Sequence, residues 1–188
     1  MKRILDPEFK KKVSGILSEL KKSLYGLYDA ATLDDKTGAY NSRFFNNIFE
    51  MEIEKAKRGK QKLSVIVLDI DFFKKINDSH GHLTGDKILA RLVEALKSKL
   101  RKYDCLARFG GEEFVVLLPQ TDSGRALKVA ERLRRGVLDD GFLKKYSVSI
   151  SLGVTQYRDK DSIKRMISRA DKALYKSKKS GRNKATRV

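Results

Sequence analysis

The tightest constraint on the fold of this chain is a pair of consecutive glycines followed by a pair of glutamates. Gly110 and Gly111 end one strand-like segment, Glu112 and Glu113 follow them, and the next segment is an unbroken apolar run. Glycine adopts the positive φ angles that a tight turn requires, so the pattern predicts a β-hairpin with both glycines in its turn. An unbroken apolar run is typical of a strand that is buried on both faces. The sequence therefore predicts a core hairpin with two carboxylates at its tip.

A second acidic segment lies upstream of the hairpin. The apolar run that begins at Leu63 ends in Asp69-Ile70-Asp71, so two more carboxylates follow a predicted buried strand. Either acidic pair alone is also typical of a solvated turn. Carboxylates of the strand end beside those of the hairpin would instead form a cluster of hard oxygen ligands, the donor type that holds Mg²⁺ for phosphate substrates. The two segments together therefore indicate phosphate chemistry.

These segments resemble the signatures of the GGDEF-domain diguanylate cyclases. The matching segments are Asp69–Asp78, Gly81-His82, Gly85-Asp86 and Gly110–Phe114, which reads as the GGEEF form of the family signature. The resemblance extends from about Thr32 to Arg182. It implies an α/β (α+β) fold, a palm-like nucleotide-cyclase domain with a βααββαβ core. Its central sheet, mixed or antiparallel, is flanked by helices, and a helix precedes the domain.

We expect the chain to have two parts, an N-terminal helix within residues 1–31 and the catalytic GGDEF domain at residues 32–188. The helix pattern spans residues 8–30, where apolar residues recur at heptad spacing: Val13, Leu17, Leu20, Leu24 and Leu27. Two heptads indicate either an amphipathic helix packed on its own domain or a dimerising stalk. In the family that the chain resembles, such a stalk often joins a sensory module to the catalytic domain.

The resemblance implies an enzyme, a diguanylate cyclase that condenses two GTP molecules into cyclic di-GMP and releases pyrophosphate. Because one chain supplies one half-site, it also implies a homodimer. The implied cofactor is Mg²⁺, two ions per half-site, with Mn²⁺ as an alternative. Asp69, the Ile70 carbonyl and Glu112 would be the metal ligands. Glu113 would be a further ligand or the general base, and Lys74 would stabilise phosphate charge in the transition state.

The resemblance also assigns the substrate-binding residues. Around the guanine base it places Asn77, His82 and Asp86; the other substrate-binding residues are Phe72 and Phe73, with Lys178 and Arg182 at the triphosphate. A carboxylate can accept from guanine N1–H and N2–H₂, a donor pair that adenine lacks, so Asp86 favours GTP over ATP. A loop turn or a helix N-cap is the alternative for His82 and Asp86. A frayed basic tail is the alternative for Lys178 and Arg182.

An R-x-x-D tetrad, Arg101 to Asp104, begins nine residues before Gly110. Alone, such a tetrad is typical of a solvated turn. The resemblance places it at the family's inhibitory product site, where Arg132 of a later helix would join it. A guanidinium forks a phosphate and stacks on guanine, so arginines suit this site. We therefore expect feedback inhibition by cyclic di-GMP.

The rest of the chain is predicted to alternate between helices and strands. The periodicity predicts helices at 41–58, 87–100, 122–138 and 162–179, a loop at 78–86 and a strand at 146–157. The polar segment 34–43 resembles the family's D-x-L-T-G-L-x-N-R-R motif but departs from it at Lys36, Ala39 and Ser42, and Ser177 stands where the family has alanine. We expect the departures in the 34–43 segment to alter local packing rather than the chemistry.

The net charge of +18 makes nucleic acid a candidate partner. Residues 158–188 hold twelve Lys or Arg and three Asp, hence +9, which a triphosphate site could use. No helix-turn-helix, zinc-finger or RNP-type motif occurs in the sequence, so a nucleic-acid-binding module is not favoured. The other alternative is a catalytically inactive receptor for cyclic di-GMP.

The remaining composition favours a cytoplasmic protein. The single cysteine, Cys105, excludes an intrachain disulfide and is expected to pack in a strand. No apolar run approaches the roughly 20 residues of a membrane helix, and the first residues lack the apolar core of a secretion signal. His80 and His82, the only histidines, are too few for a zinc site.

Overall fold

The computed structural model describes residues 6–59 and 61–188, so the first five residues of the predicted N-terminal part lie outside the described residues. The helices are α1 (Pro7–Thr32), α2 (Ser42–Gly59), α3 (Phe73–His80), α4 (His82–Lys97), α5 (Ser123–Asp139), α6 (Gly141–Lys145) and α7 (Ile163–Lys179). The strands are β1 (Tyr40–Asn41), β2 (Leu63–Ile70), β3 (Cys105–Gly110), β4 (Glu113–Pro119), β5 (Ile150–Gln156) and β6 (Ala185–Arg187).

Six strands form one mixed sheet in the order β1-β3-β4-β2-β5-β6. The four inner strands pair antiparallel, whereas the short edge strands β1 and β6 pair in parallel with β3 and β5. From β2 to β5 the chain follows the predicted βααββαβ order, with the short α6 added before β5. The predicted fold class, a mixed sheet flanked by helices, is confirmed.

The central strand β2 is buried along its whole length, as its apolar run predicted. Successive side chains of a strand point to opposite faces of the sheet. Ile66 and Leu68 therefore pack in the core under α4 and α5, whereas Val65 and Val67 pack in the second core under α2 and α7. Helices thus cover both faces of the sheet, and the polar ends of its strands are left to form sites.

Helix α7 approaches β5 backbone to backbone. A Cβ atom on Gly153 would lie 2.1 Å from the carbonyl oxygen of Ala170 and 2.3 Å from the amide nitrogen of Leu174. Separations below 3 Å from main-chain atoms cannot be relieved by turning a side chain, so this position requires glycine. The distance between α7 and the sheet is therefore set by main-chain atoms.

Ser177, the residue that stands where the family has alanine, adds a polar tie between α7 and the sheet. Its hydroxyl is buried, donates to the Leu152 carbonyl at 2.8 Å and lies 2.7 Å from the Thr186 hydroxyl. Thr186 belongs to β6, a strand that the sequence analysis did not predict. The basic tail therefore returns to the sheet as an edge strand.

The predicted hairpin is present, but only one of its two glycines lies in the turn. Gly110 is the last residue of β3 and pairs with Glu113, which leaves Gly111 and Glu112 as the connection. Gly111 has a positive φ of 46°. The prediction that both glycines form the turn was wrong because Gly110 pairs with Glu113 and so remains in β3.

The predicted loop at 78–86 is almost entirely helical. Helix α3 continues to His80 and α4 begins at His82, so a single residue, Gly81, separates them. Its φ of 79° lies in a region that residues with a side chain rarely adopt, and this allows the chain to change direction within one residue. The helix predicted at 87–100 therefore begins five residues earlier and ends at Lys97.

The strand predicted at 146–157 is shorter than expected because α6 precedes it. Asp140 caps this short helix by accepting from the N–H groups of Phe142 and Leu143. The chain becomes extended only at Ile150. The capping acid was a usable sequence signal, but a helix of one turn is too short for periodicity to reveal.

Helix α1 projects from the domain. Every described residue before Thr32 is exposed, and Leu17 and Leu27 of the heptad seam are 59% and 69% exposed. An edge-to-face contact between Tyr28 and Phe44 joins its last turns to α2. The alternative of a helix packed on its own domain is therefore wrong for this seam. No helix within residues 6–59 and 61–188 has the length and apolar character needed to cross a membrane.

Candidate active site

Strand pairing brings the two predicted acidic segments together. Asp69, near the end of β2, lies opposite Glu113 of β4 and Ser151 of β5. It is 5% exposed, and Ile70, the predicted carbonyl ligand, follows it as the last residue of the strand. One end of the sheet therefore holds the predicted ligand Asp69 beside the tip of the acidic hairpin.

Lys178 of α7 lies close to both predicted metal-binding carboxylates. Its ammonium nitrogen is 2.7 Å from Oδ1 of Asp69. Burial raises the pKa of Asp69 above its ordinary value, and Lys178 opposes this change. Burial and the negative charge of Asp69 raise the pKa of Glu112, which Lys178 also opposes. One ammonium therefore opposes the charge of two crowded carboxylates, as a bonded partner of Asp69 and through its charge at Glu112. A bound cation would stabilise this arrangement further.

An arginine that the sequence analysis did not single out fixes the hairpin tip. Arg108 donates to the Gly111 carbonyl from Nε at 3.0 Å and from Nη2 at 2.7 Å. Its Nη1 donates to Asp34, in the loop after α1, at 3.1 Å. Although burial alone would raise the pKa of Asp34, the Thr37 hydroxyl and Arg108 hold it below the ordinary value. Arg108 stands just before the GGEEF run, but the sequence does not reveal its distant partner.

Asp71, the second acid of the strand-end pair, binds protein donors instead of joining the carboxylate cluster. It is 3% exposed and accepts from the hydroxyls of Ser149 and Ser151, each at 2.7 Å. It also accepts from the backbone N–H of Asn183 at 3.0 Å. Asp71 was not among the predicted metal ligands, and these bonds pair its carboxylate with protein donors. Its role is to hold the basic tail against β5.

Phe72 supports the basic tail from the other side. The guanidinium carbon of Arg182 lies 4.3 Å from the ring centroid, and the Lys75 ammonium lies 5.0 Å from it. These are cation–π distances. Two predicted substrate-binding residues, Phe72 and Arg182, are therefore in direct contact. Phe73 is different, since its side chain is buried in the core and only its backbone could contact a substrate.

At the junction of α3 and α4, Asn77 packs against Gly85, the residue before Asp86. A Cβ on Gly85 would lie 1.9 Å from Oδ1 of Asn77, so the amide packs directly on that glycine. The same oxygen is buried and has no hydrogen-bond partner among the described residues. Both oxygens of Asp86 accept from the Lys36 ammonium, at 3.1 and 3.0 Å. The expectation that Lys36 affects packing alone was incomplete, because it contacts a predicted base-binding residue.

The two remaining predicted residues of this region are exposed. His82 is the first residue of α4, one turn before Asp86 and on the same face of the helix. Lys74 lies in the first turn of α3. Their assigned roles stay predictions.

The residues of the predicted product site lie near one another. The N–H of Arg101 donates to Asp104 at 2.8 Å and closes the turn between α4 and β3. Burial raises the pKa of Asp104, and the charges of Arg101 and Arg132 oppose this. Arg132 also donates to the Lys99 carbonyl at 3.1 Å. The tetrad is therefore an ordered turn beside an arginine of α5.

The oxygen donors at the strand end fit a metal that is shared with a phosphate substrate. Within the described part of the chain, no three His, Cys, Asp or Glu side chains are grouped to hold a metal ion by themselves. Asp69, Glu112 and the Ile70 carbonyl would supply only part of a coordination shell. Mg²⁺ is usually bound in this way, by one or two carboxylates together with water and substrate phosphates.

A mixed sheet that carries an acidic hairpin beside the end of its central strand is the arrangement that the sequence motifs predicted. The family model described as "Diguanylate cyclase, GGDEF domain" matches residues 31–184. The chain therefore belongs to the GGDEF family of diguanylate cyclases, as the sequence motifs predicted.

Relatives of known name agree with this assignment. The chain is 44% identical over 149 residues to diguanylate cyclase A of Treponema denticola, covering 76% of this chain and 40% of that protein. It is 37% identical over 170 residues to the response regulator PleD of Caulobacter vibrioides, covering 87% and 37%. The chain thus spans about two fifths of the length of these curated relatives.

Solved structures share the fold. Diguanylate cyclase SiaD of Pseudomonas aeruginosa, in complex with its activator SiaC, aligns with a TM-score of 0.80 at 36% identity, covering 96% of this chain and 71% of SiaD. The coiled coil and GGDEF domain of DgcB from Caulobacter crescentus, in complex with c-di-GMP, aligns with a TM-score of 0.82 at 26% identity, covering 96% and 98%. The active GGEEF domain of a Vibrio cholerae diguanylate cyclase aligns with a TM-score of 0.74 at 35% identity, covering 78% and 96%.

Proposed function

We propose that this chain is a diguanylate cyclase, which joins two GTP molecules into cyclic di-GMP and releases two pyrophosphates. The observation that carries the proposal is the meeting of Asp69, Glu112 and Lys178 at one end of the sheet. Two crowded carboxylates beside an ammonium suit a site that binds a cation and a polyphosphate together. The relatives that are named diguanylate cyclases support the same activity.

Asp69, Glu112 and the Ile70 carbonyl would hold Mg²⁺, or Mn²⁺ in its place. When bound, such ions neutralise charge on the phosphate oxygens and favour attack by the 3′-hydroxyl. Glu113 is exposed and lies opposite Asp69 across the strands. It would therefore serve as a further ligand or as the base that receives the 3′-hydroxyl proton.

Basic side chains would bind the triphosphate. Lys178 would exchange the Asp69 carboxylate for a phosphate oxygen, and Arg182 would reach the phosphates from its position on the Phe72 ring. Lys74, exposed at the start of α3, would stabilise the charge that develops on the α-phosphate. Phe73 would contribute through its main chain, because its side chain lies in the core.

Asn77 and Asp86 would recognise the guanine base. The carboxylate of Asp86 can accept from N1–H and N2–H₂ of guanine, and the Asn77 amide beside it adds a donor and an acceptor. The Asn77 oxygen accepts no hydrogen bond within the described residues, so turning the amide toward a base would break no existing bond of that oxygen. His82, on the same face of α4 as Asp86, would lie at the rim of the base site.

The reaction would require two chains. Each 3′-oxygen attacks the α-phosphorus of the other GTP, so two half-sites must face one another. The exposed apolar seam of α1 suits pairing with a second copy of the helix. We assign the helical stalk to residues 1–31 and the catalytic domain to residues 32–188.

Cyclic di-GMP would also bind at Arg101, Asp104 and Arg132 as an inhibitor. Arg132 lines, with Lys128 and Arg135, a cleft of about 440 Å³ on the surface of α5. A basic cleft beside the tetrad suits a ligand with two phosphates. The same residues would serve the second candidate function, a receptor that binds cyclic di-GMP without making it.

The test is incubation with GTP and Mg²⁺ followed by chromatography, with Glu112→Ala as the catalytic variant. Glu54→Ala, which removes an exposed glutamate paired with Lys57 on α2, is the matched control. Cyclic di-GMP and pyrophosphate should form with the wild type and the control but not with Glu112→Ala. Binding of cyclic di-GMP with no product at high protein concentration would favour the receptor.

A further inference from the structure

We propose that Lys36 is a base-recognition residue that donates a hydrogen bond to O6 of guanine. The inference rests on the proposed function, because it takes Asp86 as the acceptor for the guanine N–H groups. Its starting point is the contact between the Lys36 ammonium and both oxygens of Asp86, at 3.1 and 3.0 Å, across 50 residues of chain.

The loop that carries Lys36 is held in place by bonds on both sides of it. The N–H and hydroxyl of Thr37 donate to Asp34, at 3.0 and 2.5 Å. The Gly38 carbonyl accepts from the Lys97 ammonium of α4 at 2.7 Å. The position of the Lys36 backbone beside α4 is therefore fixed by the fold, and its flexible side chain has Asp86 within reach.

Guanine offers the Lys36 ammonium a new acceptor next to the N–H groups that would bind Asp86. O6, N1–H and N2–H₂ stand in a row on one edge of the base. If the carboxylate accepts from N1–H and N2–H₂, the ammonium that bridged its oxygens needs another acceptor, and O6 adjoins N1. Lysine is a regular partner of guanine O6. The Lys36–Asp86 pair is about half exposed, so guanine can replace its contacts at little cost.

Lys36 would also reject adenine. At the position of O6, adenine carries an amino group, which is a hydrogen-bond donor and faces the ammonium unfavourably. Asp86 and Lys36 would then read adjacent atoms of one edge with opposite polarity. Asn77, which packs on Gly85, would complete the polar wall next to Asp86.

The experiment is a binding cycle that changes the lysine and the base atom together. The ligands are 3′-deoxy-GTP and its 6-thio analogue, which lack the attacking hydroxyl and differ only at position 6, where sulfur is a weak acceptor. Calorimetry in Mg²⁺ compares wild type, Lys36→Met and Lys36→Arg. Loss of a charged hydrogen bond should weaken 3′-deoxy-GTP binding to Lys36→Met by about tenfold and leave the 6-thio analogue nearly unchanged. Lys36→Arg should keep most of the preference for oxygen.

Lys97→Met is the matched control, since Lys97 anchors the same loop without contacting Asp86. It should retain the wild-type preference for O6. An equal oxygen preference in the wild type and Lys36→Met, with both binding 3′-deoxy-GTP, would overturn the role of Lys36 and leave the proposed function standing. Failure of the wild type to bind either nucleotide would overturn both.

Discussion

Asp69 and Asp71 stand two residues apart at the end of β2, yet their surroundings differ in kind. Asp71 has three protein donors and stabilises the junction of β5 with the basic tail. Asp69 shares one ammonium with Glu112, and burial raises the pKa of both. At the scale of the residue, Asp71 therefore supports folding, whereas Asp69 keeps the carboxylate that we propose as a cation ligand.

Replacing Glu112 with glutamine should stabilise the metal-free protein while abolishing cyclase activity. Burial and the charge of Asp69 raise the pKa of Glu112 in the folded protein. The stability that protonated Glu112 contributes is therefore fully present below its unfolded pKa, and it is lost as the pH rises through the folded pKa. In chelator, the melting temperatures of the wild type and Glu112→Gln should coincide below about pH 4, and the variant should melt at the higher temperature at pH 7.

The matched control for that comparison is Glu54→Gln. Hydrogen bonding to Lys57 holds the pKa of Glu54 below its ordinary value, so neutralising it should not raise the melting temperature. A variant at Glu112 that melts at or below the wild-type temperature at pH 7 would contradict the crowding of the carboxylates.

Replacing Asp71 with alanine should destabilise the protein by about 2–4 kcal/mol. The change leaves the hydroxyls of buried Ser151 and half-buried Ser149, together with the Asn183 N–H, without their shared acceptor. Urea unfolding provides the measurement, and Asp78→Ala, at an exposed position on α3, is the control. If the basic tail positions Arg182, the KM for GTP should also rise in the folded variant. A loss below 1 kcal/mol would show that these bonds are replaceable.

At the scale of the element, the sequence predicted features that lie within one segment better than contacts between segments. The hairpin could be predicted because glycine, acid and apolar positions are all read within one short segment. Asp71 could not be assigned, because its partners depend on the register between β2 and β5 and on the return of the tail as β6. The α3–α4 junction was wrongly predicted as a loop. A connection between helices usually contains several polar residues, whereas here Gly81 alone connects them.

The same reasoning explains the site. Asp69, Glu112 and Asp86 were predicted as site residues because they belong to short sequence motifs of the family. The contacts of Lys36 with Asp86 and of Arg108 with Asp34 were not predicted, because each joins residues that are far apart in the sequence. Such pairs become visible only once the elements are packed.

Replacing Gly153 with alanine should destabilise the domain by about 3 kcal/mol, because the added methyl would meet main-chain atoms of α7. Gly15→Ala is the matched control. Gly15 lies in α1 with no heavy atom within 4 Å of an added Cβ, so the better helix former should stabilise that helix by about 1 kcal/mol. Chemical unfolding of both variants checks the pair. Equal stability of Gly153→Ala and the wild type would contradict the close approach.

At the scale of the whole molecule, the proposed half-site is attached to a helix with an exposed apolar seam. Leu17→Lys with Leu24→Lys should shift the chain toward the monomer and reduce turnover per chain at least about tenfold at the same concentration. Ser18→Lys, on the same helix outside the seam, is the control. Light scattering and activity are measured across a dilution series. Full specific activity in a proven monomer would overturn the requirement for two chains.

The backbone contact between Gly153 and α7 has a consequence for how this protein tolerates change. The amide of Leu174 packs on Gly153, and Lys178 lies one helical turn further along α7. The distance of Lys178 from the end of β2 is therefore set by main-chain atoms, which every amino acid has. Substitutions that erode stability should therefore leave the spacing between Lys178 and Asp69 intact. The free energy of unfolding can therefore change while the spacing of Lys178 and Asp69 is kept, as long as Gly153 remains.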